Sequence, residues 1–154
     1  MKYPMTFTAE TSATAGMNTL WNSHSEGGET RIAIPKEFEG PGGGQSPEDL
    51  FNLALANCFV ATFKVFAEKS AVTFTSMSVS SRLVVDLDAS RRPVMKDFFL
   101  NATIRGASHP ERTQSLALKA ASSGFVLNSV KTQLHFQLHV EGMADFASLQ
   151  TRGL

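Results

Sequence analysis

Polar and apolar positions alternate through the first 34 residues. The stretches "TFTAETSA", "MNTLWNS" and "ETRIAI" alternate or carry β-branched and aromatic residues. They predict three strands, with "SEGGE" as the turn between the last two. Pro35 to Gln45, with four glycines and two prolines, reads as a loop. Alternation then gives way to an apolar segment from Leu50 to Phe66. Ser46 as N-cap, Pro47 at the first helical position and acidic Glu48 and Asp49 in the first turn predict a helix that ends near Ser70. Its apolar residues fall on nearly every face, the mark of a helix buried all round.

Two long strands follow, "VTFTSMSVSSRLVVDLD" and "VMKDFFLNATIRG", joined by a turn at "ASRRP". Ser108 or His109 followed by "PERTQSLALKAASS" predicts a second helix, with Gly124 as its C-cap. "KTQLHFQLHV" alternates as a strand, and "MADFASLQ" predicts a short terminal helix. The order gives an α+β fold of mostly antiparallel strands in a single domain over residues 1–154. A helix apolar all round needs cover on two sides. Its own sheet can supply one side, so a homodimer with an interface of about 2,000–5,000 Å² is expected to supply the other.

Composition narrows the function classes. The 154 residues carry 14 basic and 14 acidic side chains, with 42% hydrophobic residues. No net field favours nucleic acid or an anionic membrane as partner. "MKYPMTFTAETS" lacks the apolar core and cleavage site of a signal peptide. The Leu50–Phe66 run falls about one residue short of the ~18 that suggest a membrane span, and Asn52, Asn57, Thr62 and Lys64 interrupt it. A single cysteine allows no intrachain disulfide, which fits a reducing compartment. The expectation is a soluble cytoplasmic protein.

Candidate chemistry narrows to one residue. His135 and His139 share a strand face about 13 Å apart, too far for one metal ion, while His24 and His109 fall in turn or cap positions. No CxxC, HExxH or carboxylate cluster has metal spacing, and no G-x-S-x-G elbow is present. "GPGGGQSPEDL" runs a glycine-rich loop into a helix start, but Pro47 removes a donor and Glu48 and Asp49 repel an anion. No metal or cofactor is expected. Cys58 is left, either as apolar filler of the helix or as a working thiol.

"SPEDLFNLALANCF" resembles the signature of the OsmC/Ohr superfamily, the osmotically inducible protein C and organic hydroperoxide resistance proteins. That family has a glycine-rich loop, a P-E-x-L helix start and an A-x-C-F ending. The resemblance implies an OsmC-like fold, with antiparallel sheets around a long buried central helix in an intertwined homodimer. It also implies that Cys58 is the peroxidatic thiol and Glu48 a site residue. Ten residues of helix separate the two by about 15 Å, so a shared site would take Glu48 from the partner chain. As a bare reading, Glu48 is equally a first-turn acid favoured by the helix dipole.

The departures are specific. Gly124 stands where the family's second cysteine is expected and Phe125 where its proline is expected, although Asn128 matches. Met17 lies near the expected arginine. Gly124 is predicted to lie close to Cys58 and to cap its helix with positive φ. A Cys58 sulfenate would have no second cysteine to condense with. Two functions follow: non-catalytic binding of a small apolar or lipid-like molecule, or a one-cysteine organic hydroperoxide peroxidase using an external thiol or dithiol. A hot-dog-fold thioesterase is a third architecture with a sheet around a long helix, and the Ser46–Phe59 motif argues against it.

Overall fold

A computed structural model describes residues 3–150, in two compact units that meet in sequence between Phe51 and Asn52. The first unit is a three-stranded antiparallel sheet of β1 (Ala9–Ser12), β2 (Trp21–Ser25) and β3 (Gly28–Ile32). His24 lies inside β2, opposite Glu29, and not in the turn that the sequence suggests. The glycine-rich loop returns alongside β3. Gln45 donates its N–H to the Arg31 carbonyl at 2.8 Å and accepts from the Ala33 N–H at 3.1 Å. A Cβ on Gly44 would lie 2.9 Å from the Ile32 carbonyl carbon. The glycine is there for this close backbone approach.

The second unit carries β4 (Ser76–Leu87), β5 (Pro93–Arg105), β6 (Gln133–Val140) and β7 (Phe146–Gln150), in that spatial order. β4–β5 and β6–β7 are antiparallel, whereas β5–β6 is parallel. Parallel neighbours need a crossover. Here it is α2 (Pro110–Ser123), which packs on β6, followed by the one-turn α3 (Phe125–Asn128). α2 starts and stops where its proline and Gly124 predict. The expected terminal helix is instead β7. Phe146–Gln150 pairs with β6 over Leu134–Leu138, because that strand's free edge offers a row of N–H and C=O groups that "FASLQ" can satisfy.

The core lies on the inner face of this sheet. Phe98, Leu100, Ala102 and Ile104 of β5 and Leu134, Phe136, Leu138 and Val140 of β6 are buried in strict alternation. Against them lies the long helix α1 (Pro47–Lys69), whose buried stripe is Leu55, Ala56, Phe59, Phe63 and Ala67. The Phe59 and Phe136 rings meet at 6.0 Å.

α1 is apolar on its other face too, but a single chain does not cover that face. Leu53 is 47% and Val65 46% exposed, and Ala54 and Ala61 are exposed beside them. Burial on every face, expected from the sequence, is therefore not met within one chain. The helix extends past the Leu50–Phe66 run at both ends, so by length and composition it could cross a membrane. Its Leu55–Phe59–Phe63 stripe is nevertheless fully buried, with Phe59 against Phe136 of β6 and Phe63 against Phe74.

Candidate functional site

Ser46 fixes the start of α1. Its buried hydroxyl accepts from the Asp49 N–H at 3.0 Å and donates to Asp49 Oδ2 at 2.9 Å. The Ser46 N–H donates to the same carboxylate oxygen at 2.9 Å. This is a reciprocal capping box with aspartate in the usual glutamate position. With Asp49 occupied in this way, Glu48 is the first-turn acid left over.

Glu48 Oε2 is buried and has no hydrogen-bond partner among the described residues, and Asn52 Oδ1 one turn later is in the same state. No ion pair to Glu48 occurs among the described residues. Met17, near the expected arginine, is 54% exposed in the loop between β1 and β2. A buried carboxylate oxygen without a donor is costly to leave as it is.

Cys58 lies further along α1, half-buried at the border between the packed stripe and the uncovered apolar face. The helix is unbroken from Pro47 to Lys69, so Glu48 and Cys58 stand about 15 Å apart along its axis. They do not meet within a chain. Gly124 does meet Cys58. A Cβ at position 124 would lie 2.5 Å from Cys58 Sγ, 3.1 Å from Leu127 Cδ1 and 3.3 Å from Thr62 Oγ1. The expected proximity holds, but the expected positive φ does not. Gly124 has φ −67° and ψ 137°, values open to any residue. It joins α2 to α3, and glycine is required there by the sulfur at its side. Leu127, fully buried on α3, completes the wall beside the sulfur. α3 has no signal of its own in the chain, because one turn of "FVLN" offers no periodicity to read.

The histidines form no metal group, and no cluster of metal-binding side chains occurs among the described residues. His135 and His139 each pair with a carboxylate, Asp97 and Asp145 respectively. His135 also stacks on Phe99 at 4.3 Å, and Arg82 sits 4.1 Å over the same Phe99 ring. The Arg82–Phe99–His135 stack and the His135–Asp97 pair are cross-strand contacts on the outer face of the sheet, whereas Asp145 lies just before β7. His109 is the residue before α2, as expected, without a side-chain capping bond.

Residues 40–139 match the family model described as "OsmC-like protein". An uncharacterized protein of Bacillus subtilis, YmaD, is 33% identical over 58 residues, which are 38% of this chain and 39% of that protein. The alignments span about two fifths of the length of the curated relatives matched. Among solved structures, an OsmC-like protein of unknown function from Vibrio cholerae aligns with a TM-score of 0.77 at 16% identity. It covers 88% of this chain and 99% of that one. An organic hydroperoxide resistance protein from Legionella pneumophila aligns with a TM-score of 0.69 at 23% identity, covering 90% and 98%. Both are likenesses of fold.

Proposed function

The chain belongs to the OsmC-like protein family, and on that basis we propose that it is a soluble, cytoplasmic, homodimeric member that binds a small apolar or lipid-like molecule beside Cys58 without turning over peroxide. One observation carries this reading. The position touching Cys58 Sγ holds a glycine, so no second sulfur stands where a disulfide would close. The orphaned Glu48 Oε2 supports it, since no cation among the described residues pairs with this acid, the partner that the family site is expected to supply. The uncovered α1 face beside Cys58 supports both the dimer and an apolar ligand.

A second reading is a one-cysteine peroxidase resolved by an external thiol. Its specific support is the half-buried position of Cys58 at the edge of the uncovered α1 face, where the thiol is within reach of a hydroperoxide and an external thiol. In that cycle Cys58 thiolate attacks a hydroperoxide oxygen, giving a sulfenic acid and an alcohol. Two equivalents of external thiol then reduce the sulfenic acid to the thiol, releasing water and a disulfide.

Cumene hydroperoxide consumption with dihydrolipoamide, in wild type and Cys58→Ser, separates the two. Equal background rates are expected. Turnover that depends on Cys58 would overturn the binding reading in favour of the second. Titration with lauric acid by calorimetry tests the ligand class, with saturable binding expected and its absence counting against an apolar pocket.

A further inference from the structure

The outer face of the four-stranded sheet carries an arrangement that burying a core does not require. One row crosses all four strands there. Arg82 of β4 opposes Phe99 of β5, Phe99 opposes His135 of β6, and His135 opposes Leu149 of β7. The Phe99 and His135 rings stack at 4.3 Å with their planes 10° apart, and the Arg82 guanidinium lies 4.1 Å from the Phe99 centroid. Asp97 fixes the imidazole by a 2.7 Å bond to Nε2.

The ring separation is close to the ~4.8 Å between neighbouring strands. The two rings therefore stand upright on the sheet and face one another across the strands. Their edges look along the strands, toward the next row of Ser80, Asn101, Gln137 and Ala147. Between the rows lies an open hollow of about 360 Å³, with Phe99 and His135 on one side and Asn101, Gln137 and Ala147 on the other. That volume falls at the lower end of the range for small-molecule sites.

The walls select a kind of ligand. Aromatic edges carry partial positive charge and pack well against the π-face of another ring. The Asn101 and Gln137 amides oppose each other and bond no described residue. Each offers a donor and an acceptor together, the pairing that reads the edge of a purine base. Arg82, one strand beyond Phe99, has no acidic partner among the described residues. Stacking orients its guanidinium and leaves the N–H fork open to an anion.

We propose that this outer hollow binds a purine nucleoside monophosphate, with the base between the two rows and the phosphate on Arg82. The inference rests on neither reading of Cys58 and needs no second subunit. A single strand of nucleic acid is the competing occupant of such a sheet face. Two observations favour the small ligand. Arg82 and His135 cover the two faces of Phe99, so no base can stack on it. The chain's 14 basic side chains are also balanced by 14 acidic ones.

Calorimetric titration of the full chain with AMP, adenosine, ribose 5-phosphate and inorganic phosphate is the test. AMP should saturate, and each of the other three should bind at least about tenfold more weakly, because each lacks one of the two contacts. Arg82→Met should weaken AMP at least about tenfold and leave adenosine within about threefold. Ala147→Trp, which fills the hollow, should abolish binding of both. No saturation by AMP up to about 5 mM would overturn the inference. So would phosphate or ribose 5-phosphate binding as tightly as AMP, or a folded Ala147→Trp that binds like wild type. Saturation by oligoadenylate alone would assign the face to single-stranded nucleic acid and overturn the small-ligand site. Should the variants fail to fold, NMR of the wild type gives an independent readout. AMP should move the side-chain amide signals of Asn101 and Gln137 and leave that of Asn57, bonded to the Leu53 carbonyl within α1, unmoved. Unmoved Asn101 and Gln137 signals in the presence of AMP would refute the site.

Discussion

Replacing Gly124 by alanine isolates one contact. The backbone there, at φ −67° and ψ 137°, suits alanine, so the substitution brings no conformational strain. Reduced freedom of the unfolded chain should by itself stabilise by about 0.4–1 kcal/mol. Against this stands the 2.5 Å approach of the new Cβ to Cys58 Sγ, a distance at which something must shift. Overpacking of that kind costs about 1–3 kcal/mol. In a Cys58→Ala background the sulfur is gone and the closest remaining neighbours are at 3.1 and 3.3 Å, tight but adjustable. The cycle therefore predicts destabilisation in the wild-type background, near-neutrality or slight stabilisation in Cys58→Ala, and a coupling of about 1–3 kcal/mol. Urea unfolding followed by far-UV circular dichroism, at one protein concentration and with unchanged m, reads it directly. Equal effects in both backgrounds, with coupling below about 0.5 kcal/mol, would refute the contact.

Gly124→Cys should oxidise with Cys58 to an intrachain disulfide, detected by mass and by loss of free thiol. It closes a loop of about 65 residues and so should stabilise by up to about 4 kcal/mol before strain. Ser46→Ala removes both hydroxyl bonds of the capping box and should cost about 1–2 kcal/mol in the same urea assay. On the β4–β5 hairpin, the Lys96 hydrogen bond and charge hold the exposed Asp86 carboxyl below its ordinary value, and Asp86 in turn raises Lys96. The Asp86 contribution is present above the ordinary carboxylate value and fades as pH falls through the lowered one. That of Lys96 is present below the ordinary ammonium value and fades as pH rises through the raised one. Carbon-detected NMR titration should show the Asp86 midpoint rising in Lys96→Met. An unmoved midpoint would deny the pair in solution.

Local signals carried much of this structure. α1 and α2 each begin with a proline behind a polar residue and have apolar or small residues within, so their bounds were readable to within a residue or so. The partnership of Cys58 and Gly124 was readable only through the motif, since nothing local links two positions on either side of a long hairpin. β7 reads as a helix in isolation because "ADFASLQ" suits either state and only the waiting edge of β6 decides between them. The parallel pairing of β5 and β6 was likewise a property of the crossover and not of either strand's sequence. Gly124 stands beside Cys58 as the motif implies, but without the left-handed backbone expected of a glycine cap. Its constraint is a neighbouring sulfur atom, which a single sequence does not display.

The crossover also sets when the surroundings of Cys58 are built during folding. The β4–β5 hairpin can form from neighbouring chain, whereas β6 joins β5 only after α2 and α3 have been placed, and long-range pairings of this kind form slowly. Gly124 and Leu127 sit at the end of that crossover, so the wall beside the sulfur should be completed late. A nascent or refolding chain should therefore expose a freely reactive thiol after its hairpin has formed. Pulsed alkylation during refolding should show Cys58 protection lagging the strand signal. Coincident protection would place the closing of the crossover in the first step.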